Sequence, residues 1–214
     1  MNPFNRIALT IVSLGLLVLS PSLASAASDR VTVENMRGPL VNAWFSSTDQ
    51  SGCIETDTFV TAQRTTDQLL PGRGTTAGIA AVSISQYDAC TDTSLLQAVG
   101  QTDSLGAAEL QFSNQVDWAS LHTTITVTNI ETGDAFDVSV NVAWAGTSDI
   151  TRDHSNTNDL YGGGCHVLNR WKGSGRTADA SGIVSDGATN FTPTTSQYAE
   201  IGVVIDGFEV IDCA

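Results

Sequence analysis

The chain has 214 residues, with 23 acidic and 9 basic side chains and a formal charge of −14 at neutral pH. A surface this negative repels phosphate backbones and anionic headgroups, which argues against nucleic-acid and membrane-surface roles. With 41% hydrophobic and 15% charged residues, and Ser, Thr and Gly filling the gap, the composition is that of an extracellular β protein rather than a helical cytosolic one.

The first 26 residues carry a short positive head ending at Arg6, an apolar run from Ile7 to Leu19, and the small-residue tripeptide Ala24-Ser25-Ala26. These are the three parts of a cleavable secretory signal. The apolar run is short for a bilayer span, so an uncleaved anchor is the less favoured reading. Cleavage after Ala26 leaves 188 residues, 8 of them basic and 23 acidic, enough for one domain over 27–214. No cysteine follows the cleavage site and no later stretch is long and apolar enough to span a bilayer. The mature protein is expected to be secreted, extracellular or periplasmic, without membrane insertion.

An oxidising compartment makes two disulfides the default for Cys53, Cys90, Cys165 and Cys213. Three pairings are formally possible. Local loop closure favours Cys53–Cys90 and Cys165–Cys213, each contributing about 4 kcal/mol on the loop-entropy model. A metal site built on Cys165 and His166 lacks the C-x-x-C pair that such sites use.

Alternation with a period of two dominates the mature chain, and helical periodicity is scarce. Strands are expected near residues 31–36, 40–45, 54–62, 80–84, 94–99 and 108–112. The clearest signal is a hairpin. Leu121, Thr123, Ile125 and Val127 form one face of its first strand, and Phe136, Val138, Val140, Val142 and Trp144 form the same face of its second. A two-residue Thr132-Gly133 loop would set Val127 opposite Val138 and Leu121 opposite Trp144. Further strands are expected at 166–171 and 199–205, with a turn at Asp206-Gly207 before Phe208 and Val210. Loops are expected at 46–52, 70–78, 145–164 and 173–176, where Gly, Pro, Asn and Asp cluster. About ten short strands define an all-β fold, an antiparallel β-sandwich or flattened barrel. The echo between Val41-Asn42-Ala43-Trp44 and Val140-Asn141-Val142-Ala143-Trp144 is too short to divide the chain in two.

The strings Ala43-Trp44-Phe45-Ser46-Ser47-Thr48, Phe136-Asp137-Val138-Ser139-Val140 and Ser181-Gly182-Ile183-Val184-Ser185-Asp186-Gly187, the last followed by Asn190-Phe191-Thr192-Pro193, resemble those of uncharacterised secreted bacterial β-rich proteins. The resemblance spans most of the mature chain and implies export. It carries no activity.

Chemistry is sparse. Asp149, Asp153 and Asp159, with His154, Asn156 and Asn158 between them, put hard oxygen ligands on one expected loop, where they offer a Ca²⁺ site or simply a solvated surface. The EF-hand spacing is absent, and no other cofactor is implied. Of the four tryptophans, Trp44, Trp144 and Trp171 sit within apolar alternation and read as core. Trp118, beside Asp117 in a less regular stretch, is the candidate platform for a sugar ring. No G-x-S-x-G occurs, His122, His154 and His166 lack motif context, and no carboxylate pair can be singled out for glycoside hydrolysis. The threonines at 124, 126 and 128 are too few rungs for an ice-binding ladder, and the sequon at Asn190 reads as chance. The sequence therefore points to a non-catalytic binding or surface-interaction module for a carbohydrate or protein ligand. The alternative is a secreted glycan- or ester-directed hydrolase.

Overall fold

A computed structural model describes residues 30–67, 75–113, 115–161 and 165–213, with side chains over 38–64, 78–113, 115–158, 167–168 and 170–203. The expected signal segment lies outside the described residues. Ten strands run in chain order: β1 Arg30–Thr48, β2 Ile54–Asp67, β3 Thr75–Asp88, β4 Thr93–Thr102, β5 Leu110–Phe112, β6 Trp118–Asn129, β7 Ala135–Gly146, β8 Thr151–Tyr161, β9 Cys165–Ser185 and β10 Tyr198–Cys213. No helix occurs among the described residues. The fold is all-β, with every strand pairing antiparallel in one sheet.

The pairing order β10-β1-β2-β3-β4-β6-β7-β9 returns on itself, because β9 also pairs with β10. Closure is thinnest between β4 and β6, which share only Ala98↔Asn129 and Val99↔Thr128. Gly100 lets the two strands approach there. A Cβ at this position would stand 2.3 Å from the Thr126 carbonyl oxygen and 2.8 Å from the Val127 Cα. β9 is long enough to serve two partners along one edge, β7 from Ala178 onward and β8 up to Gly175. β8 thus continues the line of β7 beyond the ring. Together with the first part of β9, the last part of β10 and the start of β1, it forms an arm at one end.

Alternation decides which side chains turn inward. Val138, Val140, Val142 and Trp144 of β7 face Leu121, Ile125 and Val127 of β6 and the odd-numbered residues Val41, Ala43 and Phe45 of β1, all buried. Most outward residues of β6 and β7 are hydroxyl, amide, imidazole and carboxylate side chains such as Thr124, Thr126, His122, Asp137 and Asn141, with Trp118, Ala135, Ala143 and Ala145 as the apolar exceptions. That arrangement is the reverse of a barrel whose outside meets lipid. At the end away from the arm, the β9–β10 connection closes the interior. Phe191 is buried, its carbonyl accepts from the Thr58 hydroxyl at 2.8 Å, and the Thr192 hydroxyl donates to the Gly182 carbonyl at 3.0 Å.

The β6–β7 hairpin keeps its expected faces but not its expected register. Ile125 stands opposite Val138, Leu121 opposite Val142, and Ala119, not Leu121, opposite Trp144. The shift is two residues, so parity survives. Its cause is the turn. The Asn129 side-chain oxygen accepts from the Glu131 and Thr132 amides, the Gly133 amide donates to the Asn129 carbonyl, and Gly133 takes φ +79°. An Asx-turn has widened the two-residue loop into a longer one.

Expected loops at 145–164 and 173–176 and an expected turn are revised. Most of 145–164 is strand, because β8 occupies Thr151–Tyr161. The stretch 173–176 lies inside β9, where Gly175 faces Gly202 of β10. Asp206-Gly207 is not a turn but an irregularity of register inside β10, between Val204 and Asp206. The Cys53–Cys90 disulfide is present and ties the residue before β2 to a residue just after β3. Cys165 and Cys213 stand opposite each other in the β9–β10 register; their side chains lie outside the described residues.

Four carboxylates cap turns and are held below their ordinary pKa by the hydrogen bonds they accept. The Ile54 amide does this most for Asp49, the Thr91 hydroxyl for Asp88, the Gly106 amide for Glu109 and the Thr189 amide for Asp186. A pKa lower in the folded than in the unfolded chain contributes stability above the unfolded value, and this is lost as pH falls through the folded one. Thermal melts should therefore hold above about pH 5 and drop progressively below about pH 4. Relief of net negative charge acts the other way, so the informative comparison is with Asp88→Asn. Its melting profile should fall less steeply in acid than that of the parent; superimposable profiles would refute the role given to Asp88.

Candidate functional site: an aromatic row on the outer sheet face

The outward residues of β10, β1 and β2 place three aromatics side by side. Tyr198 is the cross-strand partner of Trp44, and Trp44 is the partner of Phe59. Trp44 is 44% exposed and Tyr198 38% exposed, while Phe59 is half-buried. Neighbouring strands lie about 4.8 Å apart, so the row extends over about 10 Å. Two partly exposed rings side by side need a reason, because each would gain about 1 kcal/mol from burial of the remaining ring surface.

Polar rows flank the rings on both sides. Glu200, Asn42 and Thr61 are register partners on one side; Ser46, Asp57 and Ser85 are partners on the other. The Trp44 indole donates to Asp57 Oδ1 at 3.2 Å, and Asn42 Nδ2 donates to Glu200 Oε2 at 3.4 Å. The Tyr198 phenol is pushed far above its ordinary pKa, first by burial of its oxygen, then by its hydrogen bond to Glu200 and by that carboxylate's charge. It stays protonated at any physiological pH. The surface thus offers flat apolar rings between fixed carboxylate, amide and hydroxyl groups. It can stack a planar apolar face while accepting hydrogen bonds from its edges.

Trp44 is the residue that sequence reasoning placed in the core, and the structure corrects this. Val41, Ala43 and Phe45 take the inward parity of β1, which turns Trp44 out with Asn42 and Ser46. Trp144 is buried, Trp171 half-buried, and Trp118 is 46% exposed at the start of β6. Trp118 stands opposite Ala145, apart from the aromatic row.

The residues considered for calcium do not share one loop. Asp153 and Asp159 lie six residues apart on β8, a separation of about 20 Å at strand rise, and Asp149 precedes the strand. Asp149 and Asp153 are exposed, and Asp153 Oδ1 accepts from the His154 amide at 2.7 Å; the Asp159 side chain lies outside the described residues. Among the described residues the metal-ligand types converge only at Cys53, Asp88 and Cys90, where the disulfide consumes both sulfurs.

A shallow groove of about 520 Å³ beside the β4–β6 seam contains Glu109, His122, Ser139 and Asn141. Glu109 is engaged at both oxygens, by the Gly106 amide at 2.6 Å and the Thr123 hydroxyl at 2.9 Å. The groove presents one carboxylate where glycoside hydrolysis uses two, and no hydrogen bond links His122 to Ser139. Comparison with protein-family models, with curated proteins and with solved structures yields no match to this chain.

Proposed function

We propose that the protein is an exported, disulfide-stapled binding module that holds a neutral carbohydrate on the Tyr198–Trp44–Phe59 row and does not transform it. The observation that carries this reading is the register placing three aromatics in one outward row, with rings exposed that the core would otherwise accept. Sugar rings present an apolar face and a rim of hydroxyls, which suits such a surface. Asp57 and Glu200 beside the rings accept hydroxyl hydrogen bonds and repel carboxylated or sulfated glycans. Export is supported by the N-terminal segment and by the Cys53–Cys90 bridge.

The test is calorimetric titration with neutral gluco-, xylo- and chito-oligosaccharides. Binding by the parent, at least tenfold weaker in Trp44→Ala and unchanged in Trp118→Ala, is expected; tenfold corresponds to about 1.4 kcal/mol. Equal affinity in Trp44→Ala, or no binding to any member of the panel at millimolar concentration, would reject the reading.

A further inference from the structure

Arg152, Arg170, Lys172 and Arg176, four of the chain's nine Lys and Arg residues, stand on β8 and β9. Register puts His154 opposite Lys172, Arg152 opposite Ser174 and Asn156 opposite Arg170. These residues share the parity of Ala178 and Ala180, which point into the ring. The basic face of the arm therefore continues the interior wall beyond the ring's end.

A groove of about 460 Å³ lies between that face and the turn leading into β6. It is bordered by Val116, Ile150, Arg152, His154, Lys172 and Ser174, with Asp153 its one carboxylate. The turn is pinned in place. Arg176 Nη1 pairs with Asp117 Oδ1 at 3.1 Å, the Gly146 amide donates to the Asp117 carbonyl at 2.8 Å, and the Asp117 amide donates to Ser113 Oγ at 2.7 Å. Val116, a β-branched residue, is held at φ +60° on the groove's rim, a strained conformation that persists only where its surroundings impose it.

The distribution of partners is the informative part. Arg64 donates to the Gly106 and Leu110 carbonyls, Arg176 is paired with Asp117, and Arg170 is engaged. Arg152 and Lys172 form no ion pair among the described side chains, which do not include that of Asp206, the register partner of Lys172 on β10. Both cations border one groove of the size that small ligands occupy, where they outnumber its one carboxylate, and an excess of one sign of charge in a cleft concentrates its counter-ion.

We propose that this groove is a second binding site, which takes the oxyanion group of a small ligand: a carboxylate, sulfate or phosphate. Arg152 supplies a planar fork of donors, Lys172 a point charge and Ser174 a hydroxyl. The site is separate from the aromatic row, which lies on the outer sheet face and is flanked by carboxylates.

Amide chemical shifts of the full mature protein, titrated at constant ionic strength with inorganic phosphate, inorganic sulfate, sodium glucuronate or sodium chloride, test the proposal. Saturable shifts confined to residues around 115–117, 150–154 and 172–174 are expected with at least one of the three oxyanions and not with chloride. The oxyanion that saturates identifies the source of the charge. Arg152→Gln should weaken that binding at least tenfold, and Trp44→Ala should leave it unchanged. Arg152 is exposed and forms no ion pair among the described residues, so its variant should melt with the parent. Shifts that never saturate, that match those caused by chloride, or that persist unchanged in Arg152→Gln would overturn the site.

Discussion

Replacing Trp144 with alanine is expected to cost about 3–5 kcal/mol of stability, the range for deleting a large aromatic from a packed interior. Trp144 is 1% exposed on β7, and its indole crosses the interior to donate to the Asn42 carbonyl of β1 at 2.7 Å. The contact joins residues 102 apart in the chain and ties two non-adjacent strands of the ring. It also backs the aromatic row from within, because the Asn42 side chain lies outside, beside Trp44. Trp144→Phe keeps most of the volume and loses only the hydrogen bond, so it should cost about 1–2 kcal/mol. Denaturant midpoints followed by circular dichroism distinguish the two. A loss under about 1 kcal/mol in Trp144→Ala would mean that the indole does not fill the interior as described; equal losses in both variants would assign the effect to the hydrogen bond rather than to packing.

Such contacts mark the boundary of what the sequence discloses. The strict alternation of β6 and β7 reveals which residues turn inward, because one face is dry and the other wet. It does not reveal register, which depends on the Asn129 side chain bonding its own turn, and a slip of two leaves the alternation unaltered. β8 escapes detection for a different reason: nearly all its described side chains are exposed on both faces, so no apolar period exists to be read. Trp44 is a subtler case. The continuous apolar string Ala43-Trp44-Phe45 hides a parity that Val41, Asn42 and Ser46 disclose once counted. The aromatic row cannot be read locally at all, since it needs β10 beside β1, with Tyr198 and Trp44 more than 150 residues apart. The basic arm left a trace, four of nine cations within residues 152–176, but only the fold shows that two of them border one groove.

Removing the Cys53–Cys90 bridge by the double substitution Cys53→Ser, Cys90→Ser is expected to lower stability by about 4 kcal/mol, the loop-closure value for the 37-residue separation it spans. The effect resides mainly in the unfolded chain, which gains freedom, rather than in lost native contacts. β2 and β3 pair along their whole lengths, from Ile54↔Asp88 to Asp67↔Thr75. The Ala89 amide donates to the Cys53 carbonyl at 2.8 Å beside the bridge, so the native hairpin should persist in the variant. The binding row, which involves β2 only through Phe59, should keep its affinity. Denaturation of the double variant with and without reductant then addresses Cys165 and Cys213. Their opposed positions on β9 and β10 suit a second bridge, and reductant should destabilise the double variant further if they form one. An unchanged midpoint would show those two cysteines to be thiols. A loss under about 1 kcal/mol in the double variant itself would indicate that the unfolded chain already holds β2 near β3, which would undercut the entropic account of the bridge.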